Sequence, residues 1–155
     1  MTTVAILFWA GVFLVFYTYL RYGILLWLLV KIREAVHPAR RYAFPADPPE
    51  VTLLIAAYNE QEVVAEKMAN CRALDYPAGK LRVTWITDGS TDRTVELLAA
   101  YPEVTVLHDP RRGGKTAALN RALGIVRTPL VVFTDANTML NPEAVAQVVR
   151  CFEDP

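Results

Sequence analysis

Charged side chains in this chain stand where apolar runs stop abruptly. Leu81 to Thr87 (LRVTWIT) ends at Asp88, and Gly89, Ser90, Thr91 and Asp92 follow before a helical pattern resumes. An apolar run bounded by a turn signal predicts a buried strand, and the carboxyl ends of such strands are where α/β proteins hold ligands. The arrangement recurs: Val51 to Ala57 runs into Tyr58, Asn59 and Glu60, and Leu130 to Thr134 runs into Asp135, Ala136 and Asn137. Carboxylates placed there can hold ribose hydroxyls or a divalent cation. Between them, Arg111-Arg112-Gly113-Gly114-Lys115-Thr116 opens a helix. Its glycines allow close backbone approach, and a lysine with free N–H groups at a helix start suits a phosphate. Each piece also has a plainer reading taken singly. Asp88-Gly89 makes a tight turn, with Ser90, Thr91 or Asp92 as cap of the next helix, and Lys115 is a solvated first-turn residue. Recurrence along one chain is what favours a ligand site.

The elements that must position these residues alternate. Val51–Ala57 is expected as the first strand. Asn59, with Glu62 three residues later, predicts the cap of a helix whose inner face is Val64, Met68 and Cys71. Leu81 to Thr87 is the second strand, a short helix carries Val95 and Leu98, and Val104 to His108 is the third strand. A helix with Leu119, Ala122, Leu123 and Val126 on one face leads to the fourth strand, Leu130 to Thr134. Asn141 and Pro142 then open a last helix, as cap and first-turn proline, with Val145, Val149 and Phe152 inward. Such alternation predicts a mostly parallel sheet with right-handed crossovers, which brings every strand end above to one edge.

Ahead of this domain the composition changes. From Val4 to Val30 the only charged side chain is Arg21, and about 20 apolar residues suffice to cross a bilayer core. Residues 1–30 are therefore expected to be a membrane anchor, too long and too poor in N-terminal charge for a cleaved signal peptide. Tyr17, Tyr19 and Tyr22 around Arg21 suit an interface: either the span ends near Tyr22, or Arg21 snorkels. Lys31, Arg33, Arg40 and Arg41 follow the apolar stretch against the single acid Glu34, so the remainder is expected to be cytoplasmic, at the inner membrane of the cell. Residues 31–50 form a basic, proline-rich linker holding Pro38, Pro45, Pro48 and Pro49. Residues 51–155 are a domain that stops just after a helix and is expected to be incomplete. Cys71 and Cys151 are expected to be free thiols, and His37 and His108 to be structural. The 16 basic side chains balance 16 acidic ones, which argues against a nucleic-acid surface.

The ordered set Ala56-Ala57-Tyr58-Asn59-Glu60, Leu74-Asp75-Tyr76-Pro77, Thr87-Asp88-Gly89-Ser90-Thr91-Asp92, Gly113-Gly114-Lys115-Thr116-Ala117-Ala118-Leu119-Asn120 and Asp135-Ala136-Asn137 resembles family 2 glycosyltransferases of the GT-A fold. These include the membrane-bound synthases of hyaluronan, cellulose and poly-N-acetylglucosamine. The likeness runs from Val51 to about Phe152. It implies a partial GT-A domain, Rossmann-like with a mostly parallel sheet, behind an N-terminal transmembrane helix. It also implies an inverting transfer from a nucleotide-sugar, a UDP-sugar above all, to a sugar or lipid acceptor. Ala57, Tyr58 and Glu60 would line the base and ribose, Asp88 would hydrogen-bond the uracil or ribose, and Lys115 would approach the diphosphate. Asp135 is similar to the first aspartate of the family's Asp-x-Asp motif. Asn137 stands where a metal-binding aspartate is common, and its amide can ligate Mg²⁺ or Mn²⁺ without adding charge. This means either a weaker metal site or one that leans on the donor's phosphates. The family's catalytic base and its Gln-x-x-Arg-Trp segment lie well beyond the Asp-x-Asp position and are expected beyond Pro155, leaving this chain the donor half of a site. Two other classes compete. A P-loop NTPase would use Gly114-Lys115-Thr116, although that loop would start at Asp109 and follow the wrong strand. A noncatalytic membrane-tethered nucleotide-binding module is the other.

Overall fold

The computed structural model describes residues 2–36 and 43–153. His37, Pro38, Arg40 and Arg41 lie outside the described residues. The chain divides into two units, Met1–Arg41 and Tyr42–Pro155.

The described residues of the first unit, Thr2–Val36, form one helix, long and apolar enough to cross a membrane. It comprises α1 (Thr2–Phe16), a wider π-turn (Tyr17–Arg21) and α2 (Tyr22–Val36), so helical structure continues past Val30 through Lys31 and Arg33. The π-turn falls on the polar interruption. Thr18 donates its hydroxyl to the Leu14 carbonyl at 2.7 Å, and the Arg21 guanidinium lies 4.4 Å from the Tyr17 ring centroid. A hydroxyl drawn into the carbonyl ladder and a cation held over an aromatic face both favour local widening of the helix.

The second unit is a four-stranded parallel sheet: β1 (Val51–Ala57), β2 (Leu81–Asp88), β3 (Thr105–Asp109) and β4 (Leu130–Asp135), in the order β3-β2-β1-β4. The sheet grows from β1 through β2 to β3, then returns past β1 to β4. That reversal opens a crevice between the ends of β1 and β4, where open α/β sheets bind ligands. Helices α3 (Val64–Arg72), α4 (Thr94–Leu98) and α6 (Ala144–Arg150) cover one face, burying Val64, Met68, Cys71, Leu98, Val145 and Val149 against Val51, Leu53, Ile55 and Trp85. Helix α5 (Lys115–Leu123) covers the other, against Leu54 and Ile86. Strand β1 is buried on both faces, hence its unbroken apolar run.

Strands β2, β3 and β4 each extend one residue further than the sequence suggests, so that Asp88, Asp109 and Asp135 belong to the sheet. Several helix details differ. Asn59 caps nothing: its φ is 54°, helix α3 starts only at Val64, and the Asn59 side chain is committed to Thr91. The buried face of α5 is Ala118 and Ala122, with Leu123 exposed, because two alanines a turn apart let the helix lie close on the sheet. Asn141 and Pro142 form a turn ahead of α6, with the Ala144 N–H on the Asn141 carbonyl at 3.0 Å. Phe152 is exposed, because the chain tightens into a 3₁₀ turn over Cys151–Glu153. The proline-rich approach to β1 is docked on the domain. Tyr76 donates its hydroxyl to the Pro49 carbonyl at 2.7 Å, Lys80 donates to the Pro48 carbonyl at 2.6 Å, and the Phe44 and Tyr76 rings meet edge to face.

The close seat of α5 is testable. Ala122→Leu should cost about 1–3 kcal/mol by overpacking, measured by urea unfolding followed by circular dichroism. Stability equal to wild type would contradict the packing described.

Candidate functional site

The parallel register sets the strand ends level: Ala57 pairs with Thr87 and Ala56 with Asp135. At this edge lies a cleft of about 280 Å³, lined by Ala57, Tyr58, Glu60, Asp88, Lys115, Asp135 and Asn137, together with Ala56, Ile86 and Arg112. Each residue that the sequence offered for donor or metal binding therefore borders one cavity.

Asp88 is its pivot. Only 6% exposed, it accepts the Gly113 and Gly114 N–H groups on Oδ2, at 3.0 and 2.6 Å. Its Oδ1 is sealed from water and has no hydrogen-bond partner; the nearest cation, Arg121 Nη1, is 3.7 Å away. Burial alone would raise the Asp88 pKa, but the two glycine N–H groups and the Arg121 charge outweigh it and hold the carboxyl below its ordinary value. Arg121 is itself braced, 3.4 Å from Asp109 Oδ2 and 3.2 Å from the Thr87 carbonyl to which it donates. The N–H groups of Gly113 and Gly114 are thus spent on Asp88, just ahead of the helix start at Lys115.

Gly89 and Arg112 fix how closely the two loops approach. Gly89 has φ +70°, and a Cβ there would sit 2.8 Å from Arg112 Cβ and 2.9 Å from its backbone nitrogen. Arg112 in turn lies 4.0 Å from the Tyr58 ring centroid, so a cation and an aromatic face border the cleft side by side. The loops after β1 and β2 are laced together. Asn59 N–H donates to Ser90 Oγ and Thr91 N–H to Asn59 Oδ1. Glu60 N–H donates to Thr94 Oγ1 at 2.8 Å, and Gln61 N–H to Asp92 Oδ2 at 3.1 Å. Asp92 also accepts the Thr94 N–H and hydroxyl, and these bonds outweigh its burial to lower its pKa. Asn59, Ser90, Thr91 and Asp92 thus hold the rim, while Tyr58 and Glu60 face the cleft.

On the far side, Lys115 Nζ donates to Asp135 Oδ1 at 2.6 Å, with both side chains about half exposed. The turn after β4 is held from below. Ala136 is fully buried and donates its N–H to the Ala56 carbonyl, and Thr138 N–H closes on the Asp135 carbonyl. Beneath the turn, Lys67 of α3 is fully buried, on Thr134 Oγ1 and the Thr138 carbonyl. Burial lowers its pKa, opposed by Cys71 and Asp135. Asp135 and Asn137 supply two hard oxygen donors at the cleft, the right chemistry for Mg²⁺ or Mn²⁺. Among the described residues no three His, Cys, Asp or Glu side chains gather into a complete metal cage. The fit is thus to an ion that takes its other ligands from a bound phosphate.

The glycosyl transferase family 2 model matches residues 52–155. The chain belongs to this family. Curated family members similar to it include a beta-monoglucosyldiacylglycerol synthase of Nostoc sp., 34% identical over 111 residues, which cover 68% of this chain and 24% of that protein. Another is a poly-beta-1,6-N-acetyl-D-glucosamine synthase of Staphylococcus aureus, 32% identical over 68% of this chain and 26% of its own length. The chain thus spans about a quarter of these relatives. Among solved structures, a mannosyltransferase from Pyrobaculum calidifontis, in complex with GDP-Man and Mn²⁺, superposes with a TM-score of 0.73 at 29% identity over 91% of this chain and 43% of its own. Residues 1–349 of S. aureus TarS share the fold at a TM-score of 0.62 and 21% identity, over 68% of this chain and 32% of that one. The sheet described above is therefore the parallel part of a GT-A glycosyltransferase fold, and the P-loop NTPase alternative falls with the family assignment.

In this family 2 chain, the sequence missed Arg112, Arg121 and Lys67. Arg112 was within reach, next to the glycine pair. Lys67 falls at helical spacing between Val64 and Cys71, on the face already marked as inner. Arg121 carries no local signal, because its partners come from β2 and β3. Cys71 and Cys151 are free, and His108 bridges strands by its Nδ1 to Thr87 Oγ1 at 2.8 Å.

Two outcomes follow. Gly89→Ala should force the Arg112 loop away and cost about 1–3 kcal/mol, seen as a lowered thermal midpoint; an unchanged midpoint would contradict the close approach. Because Asp88 titrates below its unfolded value, its stabilisation is complete above the ordinary carboxylate range and fades as pH falls through the lowered folded pKa. Asp88→Asn should lose about 2 kcal/mol at neutral pH and show a flatter loss of stability below about pH 4 in denaturant titrations. An acid limb as steep as wild type would assign that loss to other groups.

Proposed function

We propose that this chain forms the donor-binding half of an enzyme that moves a sugar from a UDP-sugar to a sugar or lipid acceptor with inversion, in surface polysaccharide or glycolipid synthesis. The observation that carries this reading is that Ala57, Tyr58, Glu60, Asp88, Lys115, Asp135 and Asn137 border a single cleft at the strand ends, with the buried Asp88 carboxylate in its wall. Asp88, an acceptor in that wall, suits a uracil N–H or a ribose hydroxyl. The remaining lining suits the rest of such a donor. Ala57 and Ala56 are small enough to admit a flat ring, Glu60 can accept from ribose hydroxyls, and Lys115 can leave Asp135 for the diphosphate. Asp135 and Asn137 would hold Mg²⁺ or Mn²⁺ against the phosphate oxygens, where the ion would neutralise charge developing on the leaving group. Support for a metal comes from the Mn²⁺ in the Pyrobaculum mannosyltransferase complex.

In the reaction, an acceptor hydroxyl oxygen bonds to the anomeric carbon as the bond to the diphosphate oxygen breaks. The diphosphate leaves with that electron pair, and the hydroxyl proton passes to a carboxylate base. The part assigned to this chain is to bind and orient the donor and to stabilise the departing charge through Lys115 and Arg112. The acceptor classes are those implied by the products the relatives are named for, a diacylglycerol and a growing polysaccharide. We read the apolar helix as a membrane anchor, ending in a basic stretch that keeps residues 51–155 at the cytoplasmic face of the inner membrane.

Calorimetry on the detergent-solubilised protein tests this. UDP should bind, and Asp88→Ala and Asp135→Ala should each weaken it roughly tenfold or more. Unchanged affinity in both variants, or a thermal shift with ATP and none with UDP, would overturn the assignment.

A further inference from the structure

Lys67 is the buried charge that the donor-binding account leaves unused. A lysine is almost never fully buried unless its charge is matched, yet Lys67 is 0% exposed and its ammonium hydrogen-bonds only neutral oxygens, Thr134 Oγ1 at 3.3 Å and the Thr138 carbonyl. Those two residues bracket Asp135, Ala136 and Asn137, the turn that carries the oxygen donors of the cleft. The main chain of this turn is fixed from the other side, by Ala136 N–H on the Ala56 carbonyl and Thr138 N–H on the Asp135 carbonyl. Hydrophobic packing alone would place a methionine or leucine here more cheaply, because Val64, Met68 and Cys71 surround the same helix face. A cation is kept where an apolar side chain would fill the space.

We propose that Lys67 is a positioning residue of the donor site: its ammonium clamps the two ends of the Asp135–Thr138 turn and supplies, from beneath, a fixed positive charge that holds Asp135 and favours an anionic diphosphate above it. This rests on the reading of the cleft as a nucleotide-sugar site. The ammonium itself is sealed from water, which weakens the screening of its charge on that side. It has two consequences of opposite sign. A diphosphate gains from the buried cation, whereas a free divalent metal approaching Asp135 is repelled by it. Asn137 in place of a second carboxylate moves the balance the same way, toward a site that takes its metal together with phosphate.

The opposite signs separate this role from that of a scaffold. In the detergent-solubilised protein, UDP binding in EDTA is measured by calorimetry and Mn²⁺ binding without nucleotide by electron paramagnetic resonance. Lys67→Gln keeps a donor for the Thr138 carbonyl and removes the charge; Lys67→Met removes both; Lys67→Arg retains the charge. For Gln, UDP affinity should fall and Mn²⁺ affinity should rise, each roughly five- to tenfold, and Arg should stay closer to wild type on both counts. Loss of both affinities together in Gln, or no change in either, overturns the proposal and leaves Lys67 a packing residue. If wild-type protein binds no UDP, the donor reading itself fails, a result distinct from wild-type binding with variants that do not diverge.

Discussion

A carboxylate buried at the end of a central strand must find donors, and Asp88 finds them in the main chain of a different loop. Its two bonds to Gly113 and Gly114 tie the end of β2 to the start of α5, and so fix where Lys115 and Arg112 stand relative to β1 and β4. Together with the Gly89 N–H on the Asp109 carbonyl at 2.8 Å, that tie brings the loop between β3 and α5 so close to Gly89 that a methyl group could not fit there. Its other oxygen is sealed from water and lies 3.7 Å from the Arg121 guanidinium. One side chain thus joins the end of β2 to two neighbouring segments, as a carboxylate with two oxygens and several acceptor positions can.

Around this pivot the site is built by division of labour. Rim residues bond to one another: Asn59 with Ser90 and Thr91, and Asp92 with Gln61 and Thr94. They pre-organise the loops after β1 and β2 before any ligand arrives. Groups facing the cleft are left with spare capacity, as in Glu60, Tyr58 and the Lys115–Asp135 pair. An exposed pair of that kind contributes little to folding and can be exchanged for a ligand at small cost. Stability and recognition are therefore carried by different neighbours within the same short motifs.

Much of this was legible in the sequence, for identifiable reasons. Strand–helix alternation and apolar runs gave the parallel sheet, and a parallel sheet necessarily collects strand ends, so Ala57, Asp88 and Asp135 could be placed on one edge before any coordinates. Less legible was anything set by contacts between distant segments. Asn59 looks like a helix cap by local spacing, but tertiary bonding to Thr91 claimed it and pushed its backbone to positive φ. Nothing local in Gly113 and Gly114 announces that Asp88 will occupy their N–H groups. The inner face of α5 was legible in part: Ala122 was marked and is buried, and Leu119 packs against the same cluster, whereas Ala118 went unmarked and Leu123 is exposed, because closeness to the sheet selects small side chains.

In the proposed function the uracil of the donor lies beside Tyr58, Asp88 and Arg112. Photolabelling with a UDP analogue bearing an azide at uracil C5, followed by peptide mapping, tests it most directly. Label is expected on the segment containing Tyr58 or on the loop containing Arg112, abolished by excess UDP. Label confined to other segments, or insensitive to UDP, would contradict it.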